Sequence, residues 1–208
     1  MSNQFHSIDY NYLRPSVDVL RNTSLDVYSP DGNKRQIYYD VKLSDDETQK
    51  IGLFLDNLYK KKVILPDWWT QGDSLRYLWR NQFNTKKATD QVMKHIDWTN
   101  SLKKFKLTDM GAAMLVNGNV YIQGRDNLNY PILIIKLSAE LKLDEATIKS
   151  LYNAIVFCLI IIKKYMMLPH YCEKFNVLIN LCEQSWWKLS TTHIIKNWTS
   201  LLYDNFNG

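Results

Sequence analysis

The segment from Leu115 to Leu137 restricts this chain more than any other stretch. Val120, Tyr121 and Ile122 lead into the polar sequence Gly124-Arg125-Asp126-Asn127-Leu128-Asn129, and Pro131 then opens the run Ile132-Leu133-Ile134-Ile135. Two β-rich runs around a polar turn predict an antiparallel pair. The second run contains no polar residue, which predicts a central strand covered on both faces. A helical stretch from Asp144 to Met167 follows, then another apolar run from Phe175 to Leu181. Strand, long helix, strand is the order of a parallel crossover, because parallel neighbours cannot be joined by a tight turn. The expected fold class is therefore α/β, an N-terminal helical subdomain followed by a mostly parallel sheet flanked by helices.

A chain of 208 residues can bury one core, or one core and a small helical annex. The formal charge of +5 divides into 17 basic and 14 acidic residues over 1–110, and 9 and 7 over 111–208. The excess is spread along the chain, which argues against a nucleic-acid-binding arm. Cys158, Cys172 and Cys182 lie in or beside apolar runs without metal-ligand spacing, the pattern of buried thiols in a reducing compartment. Met1 to Tyr10 has no apolar signal-peptide core, and the uncharged run Ser150 to Ile162 is shorter than the roughly 20 residues a bilayer span needs. These features predict a cytoplasmic protein with at most transient membrane association.

Residues 1–43 show no sustained periodicity and are read as an extension, with a turn at Ser29–Asn33 and a short strand at Gln36–Val41. Ser44-Asp45-Asp46-Glu47 is a capping box, and Ile51, Phe54, Leu55 and Leu58 follow at helical spacing up to Lys60-Lys61-Lys62. Asp73 is expected to cap a helix over Ser74–Gln82 whose inner face is Leu75, Leu78 and Trp79. Asn84 or Thr85 begins another to about Asn100, with Ala88, Val92, Met93 and Ile96 inward and His95 at the boundary. Thr191 or Thr192 begins the last helix, with Ile194, Ile195, Trp198, Leu201 and Leu202 on one side.

Catalytic patterns are missing. There is no Gly-x-Ser-x-Gly, the closely spaced His170 and Cys172 have no orienting acid, and Gly118 and Gly124 flank strands rather than opening a helix. Four scattered histidines have no zinc spacing. The sequence reads as a non-enzyme with no cofactor and no metal.

The order of elements and several motifs resemble the CRAL-TRIO lipid-binding family, which includes phosphatidylinositol/phosphatidylcholine transfer proteins. Ser74-Leu75-Arg76-Tyr77-Leu78-Trp79-Arg80-Asn81-Gln82-Phe83-Asn84 is similar to that family's helical lead-in, with Trp98 closing the next helix. Gly124-Arg125-Asp126 and Pro131-Ile132-Leu133-Ile134 resemble its Gly-Arg-Asp turn and Pro-Val-Leu-Ile strand. Val177-Leu178-Ile179-Asn180-Leu181 and Leu201-Leu202-Tyr203-Asp204-Asn205-Phe206 are similar to two later motifs. The family's chain continues beyond this last motif, so the resemblance implies a partial CRAL-TRIO domain: 1–43 an extension, 44–108 the helical subdomain and 109–208 the α/β part.

The implied function is binding, and transfer between membranes, of a phospholipid or other hydrophobic ligand. The expected lining is Ile132, Ile134, Phe157, Leu178 and Asn180, between a sheet face and the Asp144–Met167 helix, although the same spacing fits plain core packing. Lys60, Lys61, Lys62, Lys103, Lys104 and Lys106 are candidates for transient contact with a membrane surface, and equally fit helix ends and a solvated linker. The alternative is a shortened family member that binds protein, including a second copy of itself, through an exposed sheet edge and holds no lipid.

Overall fold

Capping groups decide where the helices of this chain begin. The computed structural model describes residues 13–15, 43–67, 69–127, 129–138, 141–167, 174–181, 196 and 198, and these fall into two units divided between Phe105 and Lys106. In the helical unit, α1 (Asp45–Lys60) starts at Ser44, whose side chain accepts from the Glu47 backbone N–H while the Glu47 carboxylate accepts from that of Ser44. The capping box satisfies two backbone donors the helix leaves open.

The next helix, α2 (Gln71–Arg80), begins earlier than Asp73. Thr70 is the cap, and Asp73 is its reciprocal partner, accepting from the Thr70 backbone N–H and hydroxyl. Arg76 donates to the same carboxylate at 3.1 Å. The inner face of α2 also differs from expectation: Tyr77 is buried while Trp79 is 37% exposed. Ser74, Leu75 and Leu78 define the buried arc, and Tyr77 lies on its flank, with its ring stacked on Trp69 at 5.6 Å. Asn84 caps α3 (Thr85–Leu102). Ala88 and Val92 are buried there, Met93 faces outward, and His95 is interior rather than at the boundary, between the rings of Tyr77 and Trp98. Ile51, Phe54, Leu58, Leu75, Leu78, Ala88 and Val92 make this unit's core.

The α/β unit opens with α4 (Asp109–Val116), a helix absent from the sequence reading. Then come β1 (Val120–Arg125), β2 (Pro131–Lys136), α5 (Glu145–Ile161), a π-helical turn (Ile162–Met166) and β3 (Asn176–Asn180). The sheet order is β1-β2-β3, with β1 antiparallel and β3 parallel to β2. The chain is α/β, and β2 is central as its composition predicts. Pro131 and Phe175 begin stretches that lie side by side and point the same way, bridged by a buried helix.

Two expectations change here. Strand β2 is not equally covered on its two faces: Leu133 and Ile135 are fully buried, whereas Ile132 and Ile134 are half-buried. The helix running from Glu145 to Met166 is long and apolar enough to cross a membrane, although its uncharged run is not. Half of it is buried within the protein, where Leu151, Ile155 and Leu159 pack with Leu133 and Ile135, the condition of a core helix. The predicted strand at Gln36–Val41, the turn at Ser29–Asn33 and the last helix lie outside the described residues. The exceptions are Lys196 and Trp198, both helical, of which Trp198 joins the core.

The contact between α4 and α5 rests on one glycine. Asn153 of α5 accepts from the backbone N–H and hydroxyl of Thr108, the α4 cap, and donates to the Lys106 carbonyl. A side chain at Gly111 would overlap the Asn153 carbonyl oxygen that makes two of these bonds. Gly111→Ala is therefore expected to lower stability by about 1–2 kcal/mol, despite alanine's better helix propensity. Urea unfolding of a double-mutant cycle checks this: with Asn153→Ala already present, Gly111→Ala should be neutral or stabilising.

Candidate functional site

Strand alternation and the two pairing registers assign the sheet's side chains to opposite faces. Val120, Ile122, Leu133, Ile135, Val177 and Ile179 share the face that packs on α5. Tyr121, Ile134 and Leu178 form one row across the three strands on the other face. Ile132 and Asn176 make the row on one side of it, and Lys136 and Asn180 the row on the other. Leu178 is 51% exposed and Tyr121 36%.

The structure thus brings four of the five expected lining residues together: Ile132, Ile134, Leu178 and Asn180. Phe157 is not with them, because it belongs to α5, the helix that packs on the opposite face of the sheet. The slot expected between sheet and helix is filled by Leu133, Ile135, Leu151, Ile155 and Leu159. Sequence reasoning passed over Tyr121 and Lys136. Alternation carried through the turn register would have placed both beside Ile134 and Asn180.

The Gly124-Arg125-Asp126 motif builds the corner rather than lining that face. The β1–β2 register slips between Ile122 and Gly124, and Gly124 has φ +120°, a conformation that side-chain-bearing residues rarely adopt. Arg125 donates to the carbonyls of Asn129 at 2.8 Å, Leu13 at 2.8 Å and Met166 at 2.9 Å. Asp126 accepts from the Tyr130 backbone N–H and, through its second oxygen, from Asn176 at the start of β3. One guanidinium and one carboxylate therefore join the turn, the end of the crossover helix and both outer strands. A lysine ammonium presents its donors from a single atom and lacks the spread of the two guanidinium nitrogens that reach these carbonyls. Arg125→Lys is expected to cost about 2–3 kcal/mol, read as a fall in Tm.

The lysine candidates are exposed, and those of the helical unit fall at two separate places. Lys60, Lys61 and Lys62 lie at the end of α1, where Lys61 pairs with Asp90 near the start of α3 at 2.7 Å. Lys103 caps the far end of α3, roughly 20 Å along the helix axis from Asp90, and Lys106 belongs to the other unit.

No group of His, Cys, Asp and Glu among the described residues could hold a metal ion. His170, Cys172 and Cys182 lie outside those residues. Cys158 is a buried core thiol on α5, and burial pushes its pKa from 9.0 up to about 12. Its proton is held more tightly in the folded than in the unfolded chain. Its contribution to stability is complete below pH 9.0 and is lost as pH rises toward about 12. Burial raises the Tyr77 hydroxyl in the same sense. Cys158→Ala should therefore flatten the alkaline arm of a stability–pH curve without abolishing it. In a Cys172→Ser, Cys182→Ser background, the remaining thiol should resist a disulfide reagent at about pH 8 until the protein is denatured.

No curated protein matches the chain. A family model does, over a span that begins at Leu115 and so leaves the helical lead-in at Ser74–Asn84 outside it. Residues 115–208, which include the Arg125 corner, the crossover helix and the row through Ile134 and Leu178, match the CRAL/TRIO domain, and this part of the chain is similar to that lipid-binding family.

Proposed function

We propose that this protein binds a phospholipid or another lipophilic small molecule on the sheet face opposite α5, and carries it between membranes. The observation that carries this reading is the apolar row of Tyr121, Ile134 and Leu178, with Ile132 beside it, within the span that matches the CRAL/TRIO domain. Three strands spaced about 4.8 Å apart give a row roughly 10 Å wide, room for an acyl chain laid across the sheet. Each methylene that leaves water contributes about 0.8 kcal/mol, so a chain of ordinary length needs only part of its surface covered. Lys136 and Asn180, in the next row toward the ends of the parallel strands, supply a cation and an amide for a headgroup. Ligands of parallel sheets gather at those carboxyl ends.

Two measurements test the proposal. Organic extraction of the purified protein followed by mass spectrometry is expected to recover lipid in stoichiometric amount. Leu178→Asp and Ile134→Asp should each weaken binding of a fluorescent phospholipid about tenfold or more, since a carboxylate in the row must be desolvated against the acyl chain. Phe157→Ala should leave it unchanged. Absence of extractable and of added lipid would refute the function. Sensitivity at Phe157 with none at Leu178 would refute this face as the site.

A further inference from the structure

The helical unit carries a second surface that the lipid-binding reading does not use. Its α1 helix ends in Tyr59-Lys60-Lys61-Lys62, followed shortly by Ile64. Tyr59 is 83% exposed and Ile64 87%, the two most exposed of the large apolar side chains described. A globular unit gains nothing from an aromatic and a β-branched aliphatic residue held almost wholly in water on either side of three lysines. The same pairing of apolar tips with cations suits a surface that is both greasy and negative.

The fold adds charge that the α1 sequence alone does not show. The Lys61–Asp90 pair draws the end of α1 against the exposed face of α3, where Lys86 and Lys94 lie one turn to either side of Asp90. Lys61, which hydrogen-bonds to the Asp90 carboxylate, and then Lys86 and Lys94, each one turn away on the helix, hold that carboxyl below its ordinary range. Three lysines thus stand around one acid, which is already paired, and Lys60 and Lys62 flank the first of them in the chain. Asp56 lies one turn before Tyr59 and Lys60 on the same helix surface, and Asp97 one turn beyond Lys94.

We propose that the end of α1, where Tyr59, Lys60, Lys62 and Ile64 are exposed, docks the protein on an anionic lipid bilayer, with Lys86 and Lys94 of the adjoining α3 face adding to its charge. The lysines meet the headgroup charge, and the tyrosine ring and the isoleucine enter the interface between headgroups and acyl chains. Ile64 is what separates a bilayer from a nucleic acid or an acidic protein. Phosphate backbones and carboxylates reward the lysines but leave an exposed aliphatic side chain without a partner. The inference is independent of the sheet-face site, because it concerns a surface contained in the helical unit.

Co-sedimentation of the full chain with large vesicles is the test. Vesicles of phosphatidylcholine with about 30 mol% phosphatidylserine should bind the protein at about 50 mM salt, and pure phosphatidylcholine should not. Lys60→Glu with Lys62→Glu should reduce partitioning tenfold or more. Ile64→Ser should reduce it several-fold at about 50 mM salt and more steeply at about 300 mM, where charge attraction is screened. Lys103→Glu with Lys104→Glu, at the far end of α3, should change it less than twofold. All these positions are exposed, and circular dichroism verifies that each variant folds. Equal binding to neutral vesicles, equal loss from the Lys103 and Lys104 pair, or tighter binding to single-stranded DNA that ignores Ile64 would each overturn the proposal.

Discussion

Strands β2 and β3 run parallel, and everything else in the α/β unit follows from how that pairing is closed. A parallel neighbour can be reached only by a crossover that returns the chain to the same end of the sheet. Here the crossover is α5 with its π-helical turn, together about 33 Å long at 1.5 Å per residue, against roughly 20 Å for a strand of six residues. The helix is therefore buried by more than the sheet. Its wide apolar arc, from Leu151 to Ile162, meets β1 and β2 on one side and α4 on another, with Trp198 completing the core. The closeness of the α4 contact is what places Gly111 against Asn153.

Closing the crossover leaves the end of a helix beside the first residues of β3, with unpaired carbonyls and the negative end of the helix dipole. Arg125 stands there because the β1–β2 turn delivers it to that end of the sheet. Its planar group reaches the Met166 carbonyl of the helix, the Asn129 carbonyl of its own turn and Leu13 of the N-terminal segment. Asp126 binds the start of β3 through Asn176. The Gly-Arg-Asp motif is thus explained by architecture: the glycine permits the bulge, and the two charged residues tie four pieces of backbone together.

What could be read from the sequence was whatever announces itself through local chemistry or an unbroken pattern. The Ser44–Glu47 capping box, the apolar spacing of α1 and the strand–helix–strand order each state one preference strongly. The helix α4 does not. Met110, Gly111, Ala112, Ala113 and Met114 are small or apolar on every side, so no helical period stands out, and the glycine argues against a helix until its packing against Asn153 is known. In α2 the start was misplaced because Asp73 serves in the capping box as reciprocal partner, and the cap is Thr70. Trp79 and Tyr77 exchanged places because burial on a ten-residue helix depends on which neighbours supply ring contacts, and Trp69 lies outside any period. That Ile132, Ile134, Leu178 and Asn180 share one face was legible from strand alternation, whereas the place of Phe157 away from that face was not, since composition does not say which face of a strand a helix covers.

That last point bears on why β2 is apolar on both faces. A strand covered on one side only is stable with alternating polar residues, and Lys136 shows that this strand can carry one. Ile132 and Ile134 are only half-buried by the protein, so as contributors to folding they return a fraction of what Leu133 and Ile135 do. Their apolarity is better accounted for by something that completes the burial. An acyl chain and a packed side chain draw on the same hydrophobic free energy and cannot be told apart by it. The adjacent row can separate them, because a packed core has no use for an exposed lysine at Lys136 beside Asn180. On this face Lys136 and Asn180 close one end of the apolar row, whereas the Asn176 amide at the other end is already held by Asp126, so the cation and the amide that a bound amphiphile would meet stand at the Lys136 end.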